Sequence, residues 1–418
     1  MYEKTSQSLK INGGISTDFR TFKGVRQGCI LSPKLFNLFI NDIPNIFDKK
    51  CCPINIHGDV NINCLMYADD LVLLSESPAG LQRCLDKLYK YTEKWKLKLN
   101  IKKTKIMIFQ SRKSKSPSEQ YTFGNQIIQH TDKYKYLGTI LSNTGNFKLN
   151  EINLKKKGLR ASFIISKNLG DEAKPLTAIK LFEKMIEPIL LYNCEITGAC
   201  IPRSWTFEKF TRNMWDIGKE LNKVVVGFLR QILGVHKKTT NIAILSETGK
   251  FPVAMKIYKY QMRYWNRLIS SEKILLKAAK EANEATQKRR KNNWKTTIEY
   301  LQKMTGTTDT NNTHFEQQLE KIYIDWWLNQ AKPTGCSKLD FFYRYKKAFR
   351  YEKYLDNVPR HIRMYITRIR VSSIPLTLQH VPDRDVPERD VSLRETLIRI
   401  GPRMERDDRD RIKRHLGG

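Results

Sequence analysis

An α+β unit followed by a mostly helical region is the fold class that this sequence predicts, and three observations carry it. Up to about residue 141, short apolar runs rich in strand formers alternate with helical patterns. From Asn150 to Pro375, apolar residues recur mostly at helical spacing with few turn signals. No internal repeat of roughly 20 to 50 residues is present, which sets the solenoid classes aside.

Within the first segment, Ser32 followed by Pro33 has the form of an N-cap with proline at the first helical position, and Leu35, Leu38, Phe39 and Ile43 follow at helical spacing. Ser77 and Pro78 repeat the device ahead of Leu81, Leu85, Leu88, Thr92 and Trp95. Between these helices, Ile62 to Met66 and Leu71 to Leu74 predict two strands, with Tyr67, Ala68, Asp69 and Asp70 between them, so two acids stand at a hairpin tip. Beyond the second helix, Leu97, Leu99 and Ile101 alternate with Lys96, Lys98, Asn100 and Lys102 and predict a strand, with another apolar run at Ile106 to Phe109. Thr122 to Ile128 predicts a hairpin turning at Gly124 and Asn125, and Tyr134 to Leu141 a strand pair bent at Gly138. The expected arrangement is helices packed on an antiparallel sheet.

The later region predicts helices such as the one marked by Ile257, Tyr260, Tyr264 and Leu268, flanked by Lys256, Lys259, Arg263 and Arg267. Thr305 to Thr313 is expected to be a linker or exposed loop. Past Val381 the basic residues become almost all Arg and alternate with Asp and Glu, the mark of a polyampholytic tail without a core.

The chain has 418 residues, with 75 Lys+Arg against 42 Asp+Glu, a formal net charge of +33 and 40% hydrophobic residues. Its hydrophobic fraction is enough for real cores and argues against full disorder. So large a positive excess gains affinity from phosphates by releasing their counterions, so the expected partner is nucleic acid. No apolar run reaches the roughly 18 to 20 residues of a membrane span, and the N-terminus has no secretory signal, so no membrane partner is expected. An intracellular protein of the nucleus or of a cytoplasmic ribonucleoprotein is the corresponding expectation. The 8 cysteines lack CxxC spacing and read as reduced core residues, and Cys51, Cys52, His57 and Cys64 lack the ligand spacing of a zinc site.

Two local features suggest chemistry. Adjacent Asp69 and Asp70 repel each other at the end of an apolar hairpin, and a divalent cation would remove that cost. Hard carboxylate oxygens on a rigid turn suit Mg²⁺, which keeps part of its water shell and takes further ligands from a substrate phosphate. An ordinary exposed acidic turn is the alternative. The second feature is Gly24, Val25, Arg26, Gln27, Gly28 and Cys29, a glycine-flanked loop feeding a helix, in which Arg26 can meet a phosphate and Gln27 a base or sugar edge. Elsewhere, Lys288, Arg289, Arg290 and Lys291 precede Trp294, and Phe341, Phe342, Tyr343, Tyr345 and Phe349 interleave with Arg344, Lys346, Lys347 and Arg350. That alternation fits single-stranded nucleic acid, but an aromatic core face with a solvated basic face is the preferred reading.

Taken in order, "GVRQGCILSPKLFNLFIND" (Gly24 to Asp42), "MYADDLVLL" (Met66 to Leu74), "WKLKLNIKKTKIMIF" (Trp95 to Phe109) and "YKYLGTIL" (Tyr134 to Leu141) closely resemble the reverse transcriptases of non-LTR, LINE-type retrotransposons. A weaker resemblance continues through "EPILLYNCEITGA" (Glu187 to Ala199) and "ILSETGKFPVAMKI" (Ile244 to Ile257). It implies a right-hand polymerase palm over 1–141, a thumb-like helical region over 142–236, a basic helical region over 237–380 and a disordered tail over 381–418. It also implies RNA template, DNA primer or target, and deoxynucleotide triphosphates as partners. By the same resemblance Asp69 holds Mg²⁺ with Asp70 beside it, Tyr67 lies against the primer end, and Arg26, Gln27 and Gly28 position template and nucleotide. Lys103, or alternatively Lys105, lies near the triphosphate.

The family's other metal-binding aspartate lies in a strand motif several tens of residues before the GVRQG loop, whereas here Met1 to Lys23 precede that loop. Asp18 sits in "INGGISTDFRTF", which matches the family's linker instead of that strand. The expectation is a palm without its fingers, N-terminally truncated and inactive alone, because two-metal transfer takes carboxylates from two places. "FRYEKYLDNVPRHIRMYITRIRVSSIPL" (Phe349 to Leu376) resembles a segment that leads in some relatives to a Cys/His-rich end, which does not follow here. A non-catalytic RNA-binding relic or domesticated fragment is the rival reading, and the maturase-type relatives of mobile introns are a third.

Overall fold

The computed structural model describes residues 6–20, 24–25, 28–57, 60–109, 119–170, 173–198, 201–202, 204–273, 276–277, 279–282, 294–307, 312–330, 342–343 and 345–371. The chain divides into two compact units, Met1–Tyr134 and Lys135–Gly418. The first mixes helices with small sheets and the second is helical, so the α+β class holds. The expected tail past Val381 lies outside the described residues.

Helix formation in the first unit follows the caps where the caps are real. Ser77 accepts a hydrogen bond from the Gly80 N–H at 3.1 Å, Pro78 opens the helix, and Pro78–Trp95 buries Leu85, Leu88 and Tyr91. Lys96 ends it in a left-handed conformation (φ 54°), which turns the Leu97 N–H back to the Thr92 carbonyl at 2.9 Å. The Ser32 device behaves differently. Ser32 is the first residue of helix Ser32–Phe39 and is buried, and Leu31 occupies the cap without a side-chain bond. Ser32 therefore packs instead of capping, a correction to the sequence expectation.

The expected antiparallel sheet is divided into separate two- and three-stranded pieces. Ile62 pairs with Ile54 in one hairpin, whereas Cys64–Tyr67 pairs with Asp70–Leu73 in another, so Asn63 breaks the predicted Ile62 to Met66 strand. The turn at Gly124 and Asn125 forms as expected between Tyr121–Phe123 and Gln126–His130. His130 and Gln129 then pair in parallel with Ile106 and Lys105. The predicted strand at Leu97 to Lys102 does not form: no ladder partner meets it, and Lys105–Ile106 is the strand of this stretch. Leu97, Leu99 and Ile101 nevertheless pack on the core of Ile40, Ile43, Leu85, Leu88, Ile106, Tyr121, Phe123 and Ile128, so the alternation reports burial without pairing. The division between the units falls inside the last predicted pair, Lys133–Tyr136 with Thr139–Ser142, which turns through Leu137 and Gly138 at positive φ.

In the second unit, helices Lys148–Asn168, Pro175–Met185, Lys219–Leu233, Val253–Ser270, Trp294–Thr305, Asn312–Gln330 and Arg360–Arg370 share one apolar core. A Cβ on Gly158 would lie 2.3 Å from Leu190 Cδ2, so only glycine lets the first of these helices come so close to Glu187–Leu190. Of the predicted helix face, Ile257 and Leu268 are buried whereas Tyr260 is exposed. Phe342 and Tyr343 are buried, with Tyr343 5.5 Å from Trp327 between ring centroids, which bears out the structural reading of these aromatics. Lys346, expected on a solvated face, is buried: it donates to the Arg350 carbonyl at 2.7 Å and pairs with Glu352. Burial pulls its ammonium below the ordinary lysine range, opposed chiefly by the charge of Glu247.

Candidate active site

Register builds the acidic tip. Cys64 opposes Leu73, Leu65 opposes Val72, Met66 opposes Leu71 and Tyr67 opposes Asp70. Because side chains alternate between faces, Met66, Leu71 and Leu73 pack on the core while Tyr67 and Asp70 share the outer face. Ala68 and Asp69 form the turn, and Asp70 already belongs to the strand, so only Asp69 is a tip residue in the sense expected. Ala68 takes φ 51°, a left-handed conformation that costs an alanine on the order of 1 kcal/mol. The strained turn thus sits directly beside the acids.

Asp69 and Asp70 are both exposed, and neither carboxylate forms a hydrogen bond or ion pair among the described residues. Tyr67 is 65% exposed beside them. Among the described residues an ion here meets only these two carboxylates, since no group of three or more His, Cys, Asp or Glu converges there. That donor set fits Mg²⁺, which binds through one or two carboxylates and fills its remaining positions with water and phosphate. It does not fit the closed thiolate and imidazole shell of a structural zinc.

The base of the hairpin is fixed by a group that the sequence did not single out. The Cys51 carbonyl accepts from Ser75 Oγ at 2.9 Å and from Asn63 Nδ2 at 3.4 Å, and Asn63 Nδ2 also reaches the Leu74 carbonyl at 3.4 Å. Asn63 between two apolar runs was the available signal, because a polar residue there must find partners when the strands pack. Nearby, burial and then the hydrogen bond with the neighbouring Cys51 push the Cys84 thiol up to about 12. On the same helix, burial followed by the hydrogen bond to Asp42 (2.5 Å) raises the Tyr91 phenol to about 12.

The other expected residues are not all brought to the hairpin. Arg26 and Gln27 lie outside the described residues. Gly28 is exposed with φ 84°, a conformation that favours glycine. Lys103 sits in an exposed turn, its N–H donating to the Asn100 carbonyl at 3.1 Å and its carbonyl accepting from the Tyr134 hydroxyl at 3.1 Å, with the ammonium unpartnered among the described residues. Lys105 donates to Gln129 Oε1 at 2.6 Å, which ties it to the parallel strand pair. Asp18 accepts from Ser6 Oγ at 3.3 Å in an exposed hairpin.

Residues 2–141 match the family described as reverse transcriptase (RNA-dependent DNA polymerase). Over this segment the chain is therefore similar to the reverse-transcriptase class. An RNA-directed DNA polymerase from the mobile element jockey of Drosophila melanogaster is 25% identical over 206 residues, covering 47% of this chain and 22% of that protein. The Pol polyprotein from the type-2 retrotransposable element R2DM of the same organism is 32% identical over 160 residues, 36% of this chain and 15% of that protein. A Pol polyprotein from a type-1 retrotransposable element R2 of Nasonia vitripennis is 33% identical over 156 residues, 35% of this chain and 15% of that protein. All three relatives are RNA-directed DNA polymerases or Pol polyproteins of retrotransposable elements, and this chain is similar to them over part of its length. It spans between 15% and 22% of the length of these relatives. No described helix is long and apolar enough to cross a membrane.

Proposed function

We propose that this chain carries one half of the nucleotidyl-transfer centre of an RNA-directed DNA polymerase, its first unit forming the palm and its helical unit the thumb and the basic region beyond. The observation that carries the reading is the pair of exposed, unpartnered carboxylates on a strained turn whose hairpin base is held by the Cys51 carbonyl. Asp69 and Asp70 hold Mg²⁺, which when bound neutralises charge developing on the phosphate being transferred. Tyr67, on the same outer face as Asp70, lies against the primer terminus. Arg26, Gln27 and Gly28 position the RNA template and the incoming deoxynucleotide, and Lys103, whose ammonium has no partner among the described residues, meets the triphosphate and stabilises the leaving pyrophosphate.

Lys105 is the weaker candidate for that last role, because Gln129 already occupies its ammonium. In-line transfer with two ions needs a carboxylate from a second element, and the hairpin supplies only its own pair. The test is primer extension on an RNA template, with the chain alone and with a fragment bearing the family's other aspartate motif. Asp69→Ala with Asp70→Ala is expected to reduce the supported synthesis by on the order of 100-fold or more. Synthesis that survives the double substitution overturns the metal role. Absence of synthesis in every combination, with RNA binding intact, supports the non-catalytic RNA-binding alternative.

A further inference from the structure

We propose that residues 94–102 form a track for a single nucleic-acid strand, with an aromatic platform at one end and phosphate-binding lysines along it. The surface belongs to the first unit and stands apart from the acidic hairpin in sequence. It shares with the proposed function only the expectation of a nucleic-acid partner and does not depend on Asp69 or Asp70 holding a metal.

The platform is the pair Phe39 and Trp95. Their ring centroids are 5.4 Å apart, edge to face, yet the side chains remain 42% and 39% exposed. Lys94 lies over the Trp95 ring at 5.5 Å from its centroid. A large aromatic surface left in water at the end of a helix is unfavourable unless something covers it. Leu97, Leu99 and Ile101 turn inward to the core, so Lys96, Lys98 and Lys102 stand exposed on the outer side of the same stretch. Lys96 follows the helix end in its left-handed cap and Lys98 and Lys102 lie in the irregular chain beyond it, so the charges stand on the same exposed surface as the Trp95 ring. Lys94, Lys96, Lys98 and Lys102 enter no ion pair among the described residues, and no acid occurs between Lys94 and Lys105.

This combination selects the partner. Every base offers a π face to the exposed indole, and the lysine row follows a phosphate backbone without reading sequence. A duplex keeps its bases stacked on each other and away from an aromatic platform, whereas a single strand can unstack onto Trp95. An acidic polypeptide would satisfy the lysines but would leave the aromatic platform without a planar partner.

The experiment measures binding of fluorescent oligouridylate to the full chain by anisotropy across a salt series in EDTA. Lys96→Ala, Lys98→Ala and Lys102→Ala together are expected to reduce the slope of log affinity against log salt by about 2. A charge-matched control, Lys237→Ala, Lys238→Ala and Lys347→Ala, is expected to change it little. Trp95→Ala is expected to weaken binding about tenfold, and Trp95→Phe to retain most of it. Equal losses in the two lysine triples would show that only net charge matters and overturn the track. Displacement by polyglutamate as effective as by unlabelled oligouridylate would assign the surface to an acidic polypeptide instead. The EDTA keeps any metal at the acidic hairpin out of the measurement, which separates this inference from the catalytic reading.

Discussion

Glu247 and Asp69 are both carboxylates in folded parts of this chain, and their surroundings are opposite. Glu247 is 0% exposed and is met by Arg370 Nε at 2.6 Å and by the Tyr354 hydroxyl at 2.7 Å, with Tyr354 in turn bonded to Thr367 at 2.9 Å. Asp69 and Asp70 stand in water with no partner among the described residues. In the same helical unit, buried Lys346 is likewise met by Glu352. The first unit leaves charge and apolar surface open: Ile11, Ile15, Ile30 and Leu38 are 64%, 72%, 90% and 72% exposed. The contrast distinguishes carboxylates that hold a fold together from carboxylates available to a ligand.

The largest effect that can break this contrast comes from Arg370→Met. It leaves Glu247 buried without its cation, and the helical unit is expected to lose about 3 to 5 kcal/mol in urea denaturation. An unmoved midpoint would mean that Glu247 finds water and is not sealed in.

A smaller effect belongs to Glu220, whose hydrogen bonds with Lys155 first and Lys223 next lower its carboxyl from the ordinary 4.5 to about 2. Its folded value lies below the unfolded one, so its contribution is complete above about 4.5 and is lost as pH falls from there towards about 2. Glu220→Gln is expected to flatten that acid limb of the stability profile by removing the same contribution at neutral pH, a small one because solvent screens this half-buried group. The smallest effect is expected from Asp69→Asn with Asp70→Asn. Stability measured without divalent ions should stay within about 0.5 kcal/mol, and a large loss would make these acids structural after all.

Helix Pro78–Trp95 was legible in the sequence because its signals are local: Ser77 reaches Gly80 within one turn, and the buried leucines recur at one helical face. The turns at Gly124 and at Leu137–Gly138 were legible for the same reason, since they depend on what their own backbone tolerates. Ser32 shows the limit. The Ser-Pro pair looks the same at both helices, but burial of Ser32 is decided by what surrounds it and not by the pair itself. Lys346 shows it again, because an interleaved basic residue reads as solvated until a carboxylate and a carbonyl converge on it. In the site, the acid pair was visible as two adjacent letters. The hold of Cys51 on the hairpin base was not, because a backbone carbonyl that accepts from residues 12 and 24 positions away leaves no pattern in the chain.

By itself the sequence determined the kinds of element, the outward display of Asp69 and Asp70, the reverse-transcriptase kinship and the polyanion-seeking charge. The kinship rests on the resemblance of short motifs; the other three follow from short-range sterics, from periodicity and from summed charge, and survive without knowledge of distant neighbours. The tertiary structure alone decided that Leu97 to Ile101 line a core with no partner strand among the described residues, that Gln129 takes Lys105 while the Lys103 ammonium meets no carboxylate or carbonyl among them, and that Glu247 meets Arg370 from 123 residues away. Pairing and ion binding depend on which groups arrive in the same place, and only the folded chain brings them there.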